Sequence, residues 1–321
     1  MTTLYAAFAF LFGLAFGSFL NVCIYRIPLA LPEEAADESW LRSIVRGIGA
    51  WRAVQSPKRS FCPHCHHAIR WYDNLPVLSW LLLRGRCRDC RTGIRFRYTA
   101  VELLAALLFL ASYLRFGPTL ETGKFCVFSF LVIGLIFADA EHRLLPDAFT
   151  VPGLVVGLAF SVFVPLTDLR PYLPLLVRTP LPWPLISLVD SLLGALVGAA
   201  FIFGSGLAYR LARGQEGMGL GDVKMMAMIG AFLGLKLALL TILFASLLGS
   251  LYGAFMFVAV WFKRWRRYFR RRLSGAAARR AWISAKLVRF YAIPFGVFLG
   301  IVALFSVFLG NMTFRWYRSL F

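Results

Sequence analysis

Carboxylates in or at the ends of long apolar segments are the residues of this sequence best placed to do chemistry. A carboxylate is costly in a bilayer and by default marks a functional site. Seven such residues occur: Glu102, Asp139, Glu141, Asp147, Asp190, Glu216 and Asp222. Two groups stand out, in "FADAEHRLLPD" (137–147) and "EGMGLGD" (216–222). Two neighbouring carboxylates cannot both ionise, so one can act as general base on water while the other donates a proton. That chemistry hydrolyses peptides without a metal or a covalent intermediate.

A simpler interpretation competes for each aspartate. Asp147 and Asp222 both precede helical runs, where Asp is a good N-cap, and for Asp147, after Pro146, a cap or a supporting role is the better interpretation. Asp139 is at the C-terminal end of a predicted helix, where a negative charge interacts unfavourably with the macrodipole. Stabilisation of the helix therefore does not explain its position, which favours a functional role. The glycines at 217, 219 and 221 would allow backbone conformations closed to other residues and a close approach to an extended substrate.

Two cysteine pairs predict a metal site. "CPHC" (Cys62, Cys65) and "CRDC" (Cys87, Cys90) are separated by 21 residues, which is close to the spacing of a zinc ribbon. Cytosolic thiols stay reduced, so structural zinc on four thiolates is favoured over disulfides or a redox pair. His64, His66 and His67 are then expected on the exterior of the first knuckle.

The elements that must position these residues are membrane helices. The chain has 321 residues, of which 60% are hydrophobic and 16% charged, and its mean hydropathy is +0.71. Such a composition excludes an ordinary soluble domain. Apolar runs suited to crossing the bilayer predict about eight helices, at 5–25, 100–114, 124–138, 148–167, 191–209, 223–235, 237–262 and 290–314.

The basic residues predict the orientation. With the N-terminus outside, the segments 26–99, 139–147, 210–224 and 263–289 face the cytoplasm and hold 28 of the 35 Lys and Arg residues. This topology places both aspartate groups at the same depth and on the same side of the membrane as the cysteines. The basic stretch 263–282 is interpreted as a loop on anionic lipid headgroups of the bilayer, with no nucleic acid as partner.

The fold class predicted is therefore an all-α polytopic membrane protein with a cytoplasmic zinc-ribbon-like loop domain. Residues 1–25 form the first transmembrane helix, 26–99 the cytoplasmic loop domain, and 100–321 the multi-helix membrane domain that carries the aspartates.

Several motifs together resemble the bacterial type IV prepilin peptidases, which are membrane aspartic proteases and N-methyltransferases. They are "GLAFGSFLNVCIYRIP" (13–28), the whole stretch 60–104 around the cysteines, "ADAEHRLLPDAFT" (138–150), "GMGLGDVKMMAMIGAFLG" (217–234) and "IPFGVFLG" (293–300). Two departures are Glu141, where many members have a second Asp, and Val297, which interrupts what is often "PFGPFL".

The resemblance implies that Asp139 and Asp222 are the catalytic aspartates, with Gly219, Gly221, Asp147 and Lys224 in support. It implies cleavage of the leader of prepilins or pseudopilins on the cytoplasmic side of the bacterial inner membrane. It also implies methylation of the new N-terminal residue with S-adenosylmethionine, in a reaction assigned to the loop domain 26–99. No residues are identified for the methyl donor.

Two other classes remain open from the residues alone. A transporter or channel would use Asp139, Asp147, Asp190 and Asp222 as a cation path, and it predicts carboxylates across the whole membrane depth. A zinc-loop scaffold without catalysis predicts that Asp139→Asn and Asp222→Asn are harmless.

Overall fold

The structure is a computed structural model that describes residues 2–30, 49–55, 60–166, 182–215, 219–270 and 294–319. Its α-helices are α1 (Thr2–Leu29), α2 (Trp51–Gln55), α3 (Leu78–Leu82), α4 (Arg97–Phe116), α5 (Leu120–His142), α6 (Asp147–Phe163), α7 (Trp183–Arg213), α8 (Leu220–Arg270) and α9 (Phe295–Arg318). Within these ranges β structure is limited to two isolated bridges, both in the loop domain. The predicted all-α class is confirmed.

The eight predicted membrane segments each overlap a helical segment. Six helices are long and apolar enough to cross a membrane, and α6 is a shorter apolar helix. These seven helices correspond to eight predicted segments because α8 contains two of them, 223–235 and 237–262. α8 is broken between them at Gly234, where φ is 78° and ψ is 176°. Boundaries differ by a few residues, most clearly in α1, which continues to Leu29 rather than ending at 25. Much of the predicted loop 263–289 lies outside the described residues, although its first residues extend α8 to Arg270.

The break at Gly234 reverses the direction of α8. Just after it, Lys236 Nζ lies 3.2 Å from Asn311 Oδ1, near the C-terminal end of α9. Farther along, the Tyr252 ring lies 5.4 Å from the ring of Phe298, at the other end of α9. A continuous helix of this length would be about twice as long as the hydrocarbon core is thick. The two parts of α8 therefore cross the bundle in opposite directions.

Small residues bring α7 and α8 into direct backbone contact. A Cβ at Gly230 would lie 2.2 Å from the Gly194 carbonyl oxygen, and one at Gly194 would lie 2.6 Å from the Gly230 oxygen. Gly194 and Gly198, like Gly230 and Gly234, are four residues apart, the small-xxx-small spacing typical of close helix contacts in membranes. This contact fixes the first part of α8, which carries Asp222.

Asp190 holds the break in α8. Its side chain is 1% exposed, and its Oδ1 accepts a hydrogen bond of 2.9 Å from the backbone N–H of Leu235, the first residue after the break. A helix that begins inside a bundle has backbone donors without intrahelical partners. The Asp190 carboxylate satisfies one of these donors, so this membrane carboxylate has a structural role. It lies at the same end of the bundle as Asn311 of α9.

α5 is the central helix, since two thirds of its apolar stretch is buried. Phe128 of α5 packs against Phe232 of α8 with ring centroids 5.0 Å apart. On the other side, α1 and α4 approach closely where Gly13 faces the backbone of Ala106. Asp139 therefore lies near the C-terminal end of the best-packed helix of the bundle.

Candidate active site

Asp139 is a buried carboxylate held by backbone donors from another helix. It is 6% exposed and lies one turn before α5 ends, with Arg143 in the left-handed conformation (φ 53°) as the C-cap. Its Oδ2 accepts a hydrogen bond of 3.0 Å from the backbone N–H of Val297. A Cβ added at Gly296 would lie 2.9 Å from the same oxygen. The start of α9 therefore contacts the carboxylate directly.

Asp222 lies in the first turn of α8, which begins at Leu220. The N-cap position is therefore Gly219, so the alternative interpretation of Asp222 as the N-cap residue does not hold. Its carboxylate hydrogen-bonds the backbone of Gly219, as an acidic residue in the third helical position does when it reaches back to the cap. This hydrogen bond satisfies one backbone donor at the start of α8, and it does not exclude a second role for the Asp222 carboxylate.

The two aspartates approach each other across one hydrophobic residue. The carboxylates are near enough for their charges to interact. Leu145, in the corner between α5 and α6, contacts both surrounding elements: a Cβ at Gly221 would lie 3.0 Å from its Cβ, and a Cβ at Gly296 would lie 3.1 Å from its Cδ1. The starts of α8 and α9 and the end of α5 therefore meet at Leu145.

The glycines of the 217–222 segment act by their size. Gly221 leaves room for Leu145, whereas a Cβ at Gly219 would meet nothing nearer than 3.9 Å. Neither residue is among those with a positive φ, so the expected glycine-only backbone is not found at these two positions. Gly217 and Glu216 lie outside the described residues.

Asp147 is paired rather than capping. The N-cap of α6 is Pro146, and no side-chain cap hydrogen bond is made there. The Asp147 carboxylate instead accepts hydrogen bonds of 2.8 and 2.7 Å from Lys224 Nζ. Of the two interpretations of Asp147, the cap is not found, and the contact with Lys224 agrees with a supporting role because it joins α6 to the helix that carries Asp222.

The four cysteines converge on one point. Their Sγ atoms all lie within 4.8 Å of one another, and the Sγ atoms of Cys62 and Cys90 are 3.8 Å apart. A tetrahedral ion with metal–sulfur bonds of about 2.3 Å places its ligand atoms about 3.8 Å apart. All four are free thiols, so the cluster can hold a metal ion.

The two cysteine knuckles share one backbone design. The N–H of Cys62 donates to the His67 carbonyl at 3.0 Å, and the N–H of Cys87 donates to the Thr92 carbonyl at 2.8 Å. Each turn has one residue of positive φ, His66 or Arg91. His64, His66 and His67 are exposed, in agreement with a knuckle exterior, and the metal-binding group found among the described residues consists of the cysteines alone.

A cavity of about 530 Å³ lies between this loop and the bundle. Its carboxylates are Asp73, Asp89, Glu102 and Glu141, and its aromatic residues are Tyr25, Phe61, Trp80 and Tyr98. The Glu102 side chain is 9% exposed and accepts a hydrogen bond of 2.8 Å from the Val77 N–H. Arg88 donates two hydrogen bonds to Asp73, and this contact holds the pKa of Asp73 below its usual range.

Glu141 connects the cavity to the aspartate helix. It forms an ion pair with Arg97, the first residue of α4, and both residues line the cavity. Glu141 is only two residues from Asp139. The metal loop, the cavity and the aspartates therefore share one end of the bundle. The sequence identified Glu141 as one of the membrane carboxylates and as a departure from the family pattern, but not its ion pair with Arg97, because that partner is 44 residues away.

The contact between Val297 and Asp139 was not predicted. The segment "IPFGVFLG" is a recognisable motif, but nothing in its residue types indicates a backbone donor for a carboxylate 158 residues earlier in the chain. The glycine at 296 between larger apolar residues was the available signal, since it indicates a close approach.

Comparisons with known proteins give matches over most of the chain. Residues 11–116 match the family model of the bacterial Peptidase A24 N-terminal domain, and residues 126–254 match that of the type IV leader peptidase family. A prepilin leader peptidase/N-methyltransferase of Aeromonas hydrophila is 38% identical over 233 residues, 72% of this chain and 74% of the relative. That of Dichelobacter nodosus is 36% identical over 238 residues, 71% of this chain and 74% of the relative. No solved structure gives a significant match.

Proposed function

This chain belongs to the type IV leader peptidase family, and we propose that Asp139 and Asp222 are the catalytic pair with which it cleaves the leader peptide of type IV prepilins or pseudopilins. The observation that carries this assignment is the approach of two membrane carboxylates from separate helices, α5 and α8, at one end of the bundle. Asp190, the carboxylate that a cation path would need at the other end, is instead bound to the backbone at the Gly234 break.

The proposed reaction is hydrolysis by a proton-sharing pair. The ionised aspartate removes a proton from a water molecule, whose oxygen attacks the carbonyl carbon of the scissile peptide bond. The protonated aspartate donates its proton to the developing oxyanion. When the carbon–nitrogen bond breaks, the proton held by the first aspartate passes to the leaving amine. The second aspartate takes a proton back from a hydroxyl of the tetrahedral intermediate as the carbonyl of the new carboxyl group forms, so that the pair again holds one proton.

Substrate entry is proposed to be lateral. A prepilin presents an apolar helix after its leader, and such a helix is stable in the bilayer until it reaches the protein. Gly219 is exposed, and among the described residues a Cβ there would meet nothing nearer than 3.9 Å. An extended substrate backbone could therefore approach Asp222 along Gly219, with Gly221 and the Lys224–Asp147 pair keeping the start of α8 in place.

The metal is proposed to be zinc with a structural role. Four thiolates at tetrahedral spacing fill the coordination shell of zinc and leave no open position for substrate or water. Bound zinc would hold the two knuckles together and thereby shape one wall of the cavity. This supports treating 26–99 as a zinc-binding unit, of which the structure describes 26–30, 49–55 and 60–99.

The cavity is proposed as the S-adenosylmethionine site of the methyltransferase activity. Its volume of about 530 Å³ lies within the range of about 300–1,000 Å³ common for small-molecule sites. When bound, this cofactor supplies a methyl group from its sulfonium centre. The lining also contains five arginines, Arg26, Arg70, Arg88, Arg95 and Arg97, which suit the carboxylate of this cofactor. Since Asp73 pairs with Arg88 and Glu141 with Arg97, Glu102 and the Trp80 ring are the groups proposed to face the sulfonium. The proximity of Glu141 to Asp139 would place the methylation step beside the cleavage step.

The proposed location is the bacterial inner membrane, with the N-terminus outside. The chain is a multi-pass membrane protein by its apolar helices. The asymmetry of Lys and Arg favours a cytoplasmic position for the end that carries the cysteines and both aspartates.

The test of the peptidase proposal is leader cleavage by purified protein in detergent or liposomes. Asp139→Asn and Asp222→Asn are each expected to reduce cleavage by at least a thousandfold while methylation of an already cleaved substrate continues. Glu121→Gln is the matched control, since it neutralises a carboxylate at the opposite end of α5. Wild-type cleavage by either folded Asp variant would reject the paired mechanism and favour a scaffold without catalysis.

A further inference from the structure

The first turn of α9 has backbone donors directed at Asp139. α9 begins at Phe295, so Gly296 and Val297 are among the residues whose N–H groups have no partner inside the helix. The Val297 N–H donates to Asp139 Oδ2 at 3.0 Å, and the backbone of Gly296 hydrogen-bonds the same carboxylate. Only glycine fits at 296 without displacement, because a Cβ would lie 2.9 Å from that oxygen.

These donors favour the ionised carboxylate. Hydrogen bonds from backbone N–H groups stabilise the charged form of an acid, and the N-terminal end of a helix carries partial positive charge. Asp222 has one backbone partner, Gly219, among the contacts of the described residues. When two neighbouring carboxylates share one proton, the better-solvated one is ionised and the other keeps the proton.

We propose that the first turn of α9 decides which aspartate is ionised, so that Asp139 is the general base and Asp222 carries the shared proton. Gly296 and Val297 are then positioning residues, which act on the reaction through Asp139. The inference depends on the proposed peptidase function and adds to it a division of roles between the two aspartates.

The surrounding charges are already engaged or distant. Asp139 interacts with Arg143 on its own helix and with Asp222 on α8. Near this end of the bundle, Lys224 pairs with Asp147, Arg97 pairs with Glu141, Arg26 donates to the Val54 carbonyl, and Glu102 accepts from the Val77 N–H. At the other end lie Arg115 in the last turn of α4, Lys236 beside Asn311, and Arg315 near the end of α9. Lys263 and Arg266 are on the part of α8 that follows the Tyr252–Phe298 contact, and Arg266 lies over the Phe262 ring. The turn of α9 is the element that donates hydrogen bonds directly to Asp139.

The test is the pH profile of leader cleavage by Val297→Pro. Proline has no N–H, so the variant deletes one donor. Position 297 is the third of α9, and the residue before it is Gly296, whose lack of a Cβ reduces the clash between a proline ring and the preceding residue. Without that donor the base takes up a proton at higher pH, and the reaction needs the base ionised. The acid limb of kcat/KM is therefore expected to move up by about one pH unit, since a hydrogen bond to a charged group contributes roughly tenfold or more.

Val297→Ala is the matched control, because it shortens the side chain and keeps the N–H; its acid limb should stay in the wild-type position. Gly296→Ala is the second variant, and its Cβ should displace the carboxylate, which moves the acid limb in the same direction and lowers kcat more than it raises KM. Methylation of a cleaved substrate verifies folding.

The outcomes separate the inference from the proposed function. If Val297→Pro and Gly296→Ala both keep the wild-type acid limb while Asp139→Asn is inactive, the division of roles is wrong and the aspartate mechanism stands. If Asp139→Asn is itself active, the proposed function fails first.

Discussion

Lys224 Nζ contacts both oxygens of the Asp147 carboxylate, at 2.8 and 2.7 Å. Lys224 is two residues after Asp222 in α8, and Asp147 is the first residue of α6. The pair therefore joins the start of α8 to the corner between α5 and α6, which follows Asp139. The side chains are 21% and 12% exposed, which limits screening by water.

Removal of one partner is expected to disturb both stability and catalysis. Lys224→Met leaves the Asp147 charge largely buried, which should cost about 1–3 kcal/mol, less than the cost at a fully buried pair. Leader cleavage should fall while methylation is kept. In the double variant Lys224→Met, Asp147→Leu, most of the stability should return in thermal unfolding, and additive losses would show that the contact contributes nothing.

The α7–α8 contact should tolerate no added methyl group. Gly230→Ala places a Cβ 2.2 Å from the Gly194 oxygen, so the helices must separate, at an expected cost of about 1–3 kcal/mol in unfolding free energy. Gly204→Ala on α7 is the matched control, because no atom lies within 4 Å of its added Cβ. Equal unfolding temperatures for the two variants would contradict the packing argument.

Metal content should depend on one cysteine from each knuckle. The Cys62→Ser, Cys87→Ser protein is expected to lose its zinc, whereas Cys126→Ser, which changes a thiol in α5, should retain one ion per chain. Mass spectrometric metal analysis measures both. Unchanged zinc in the double variant would reject the four-thiolate site.

Recognition of the methyl donor should depend on charge. Glu102→Gln keeps an acceptor for the Val77 N–H but removes the carboxylate, so affinity for S-adenosylmethionine should fall about tenfold. S-adenosylhomocysteine, which lacks the sulfonium charge, should bind both proteins equally in calorimetric titrations. An equal loss for the two ligands would mean that Glu102 supports the cavity wall and does not recognise the cation.

Properties that depend on composition and spacing could be predicted from the sequence. Hydropathy identified the membrane segments, including the separation of 223–235 from 237–262 that the structure places at Gly234. The two C-x-x-C pairs identified the metal cluster because a knuckle is a local structure. The prediction that Asp139 and Asp222 lie at the same end of the bundle came from topology alone.

Contacts between distant backbone atoms could not be predicted. The bond from Val297 to Asp139 involves an N–H that every residue except proline has, so the residue type carries no signal. The contact of Gly194 with Gly230 likewise depends on which faces of α7 and α8 pack against each other, and the local sequence does not specify this. The N-cap interpretation of Asp147 and Asp222 does not hold, because the Asp147 carboxylate binds Lys224 and the Asp222 carboxylate binds the backbone of Gly219.

The position of Val297 near the end of the chain also sets the order in which the enzyme is completed during biosynthesis. A growing polypeptide that has inserted everything through α8 already contains both aspartates, but it lacks the turn that binds Asp139. Peptidase activity should therefore begin only when α9 enters the membrane. A nonsense mutation after residue 222 and before residue 295 would then yield an inactive protein that still contains both aspartates.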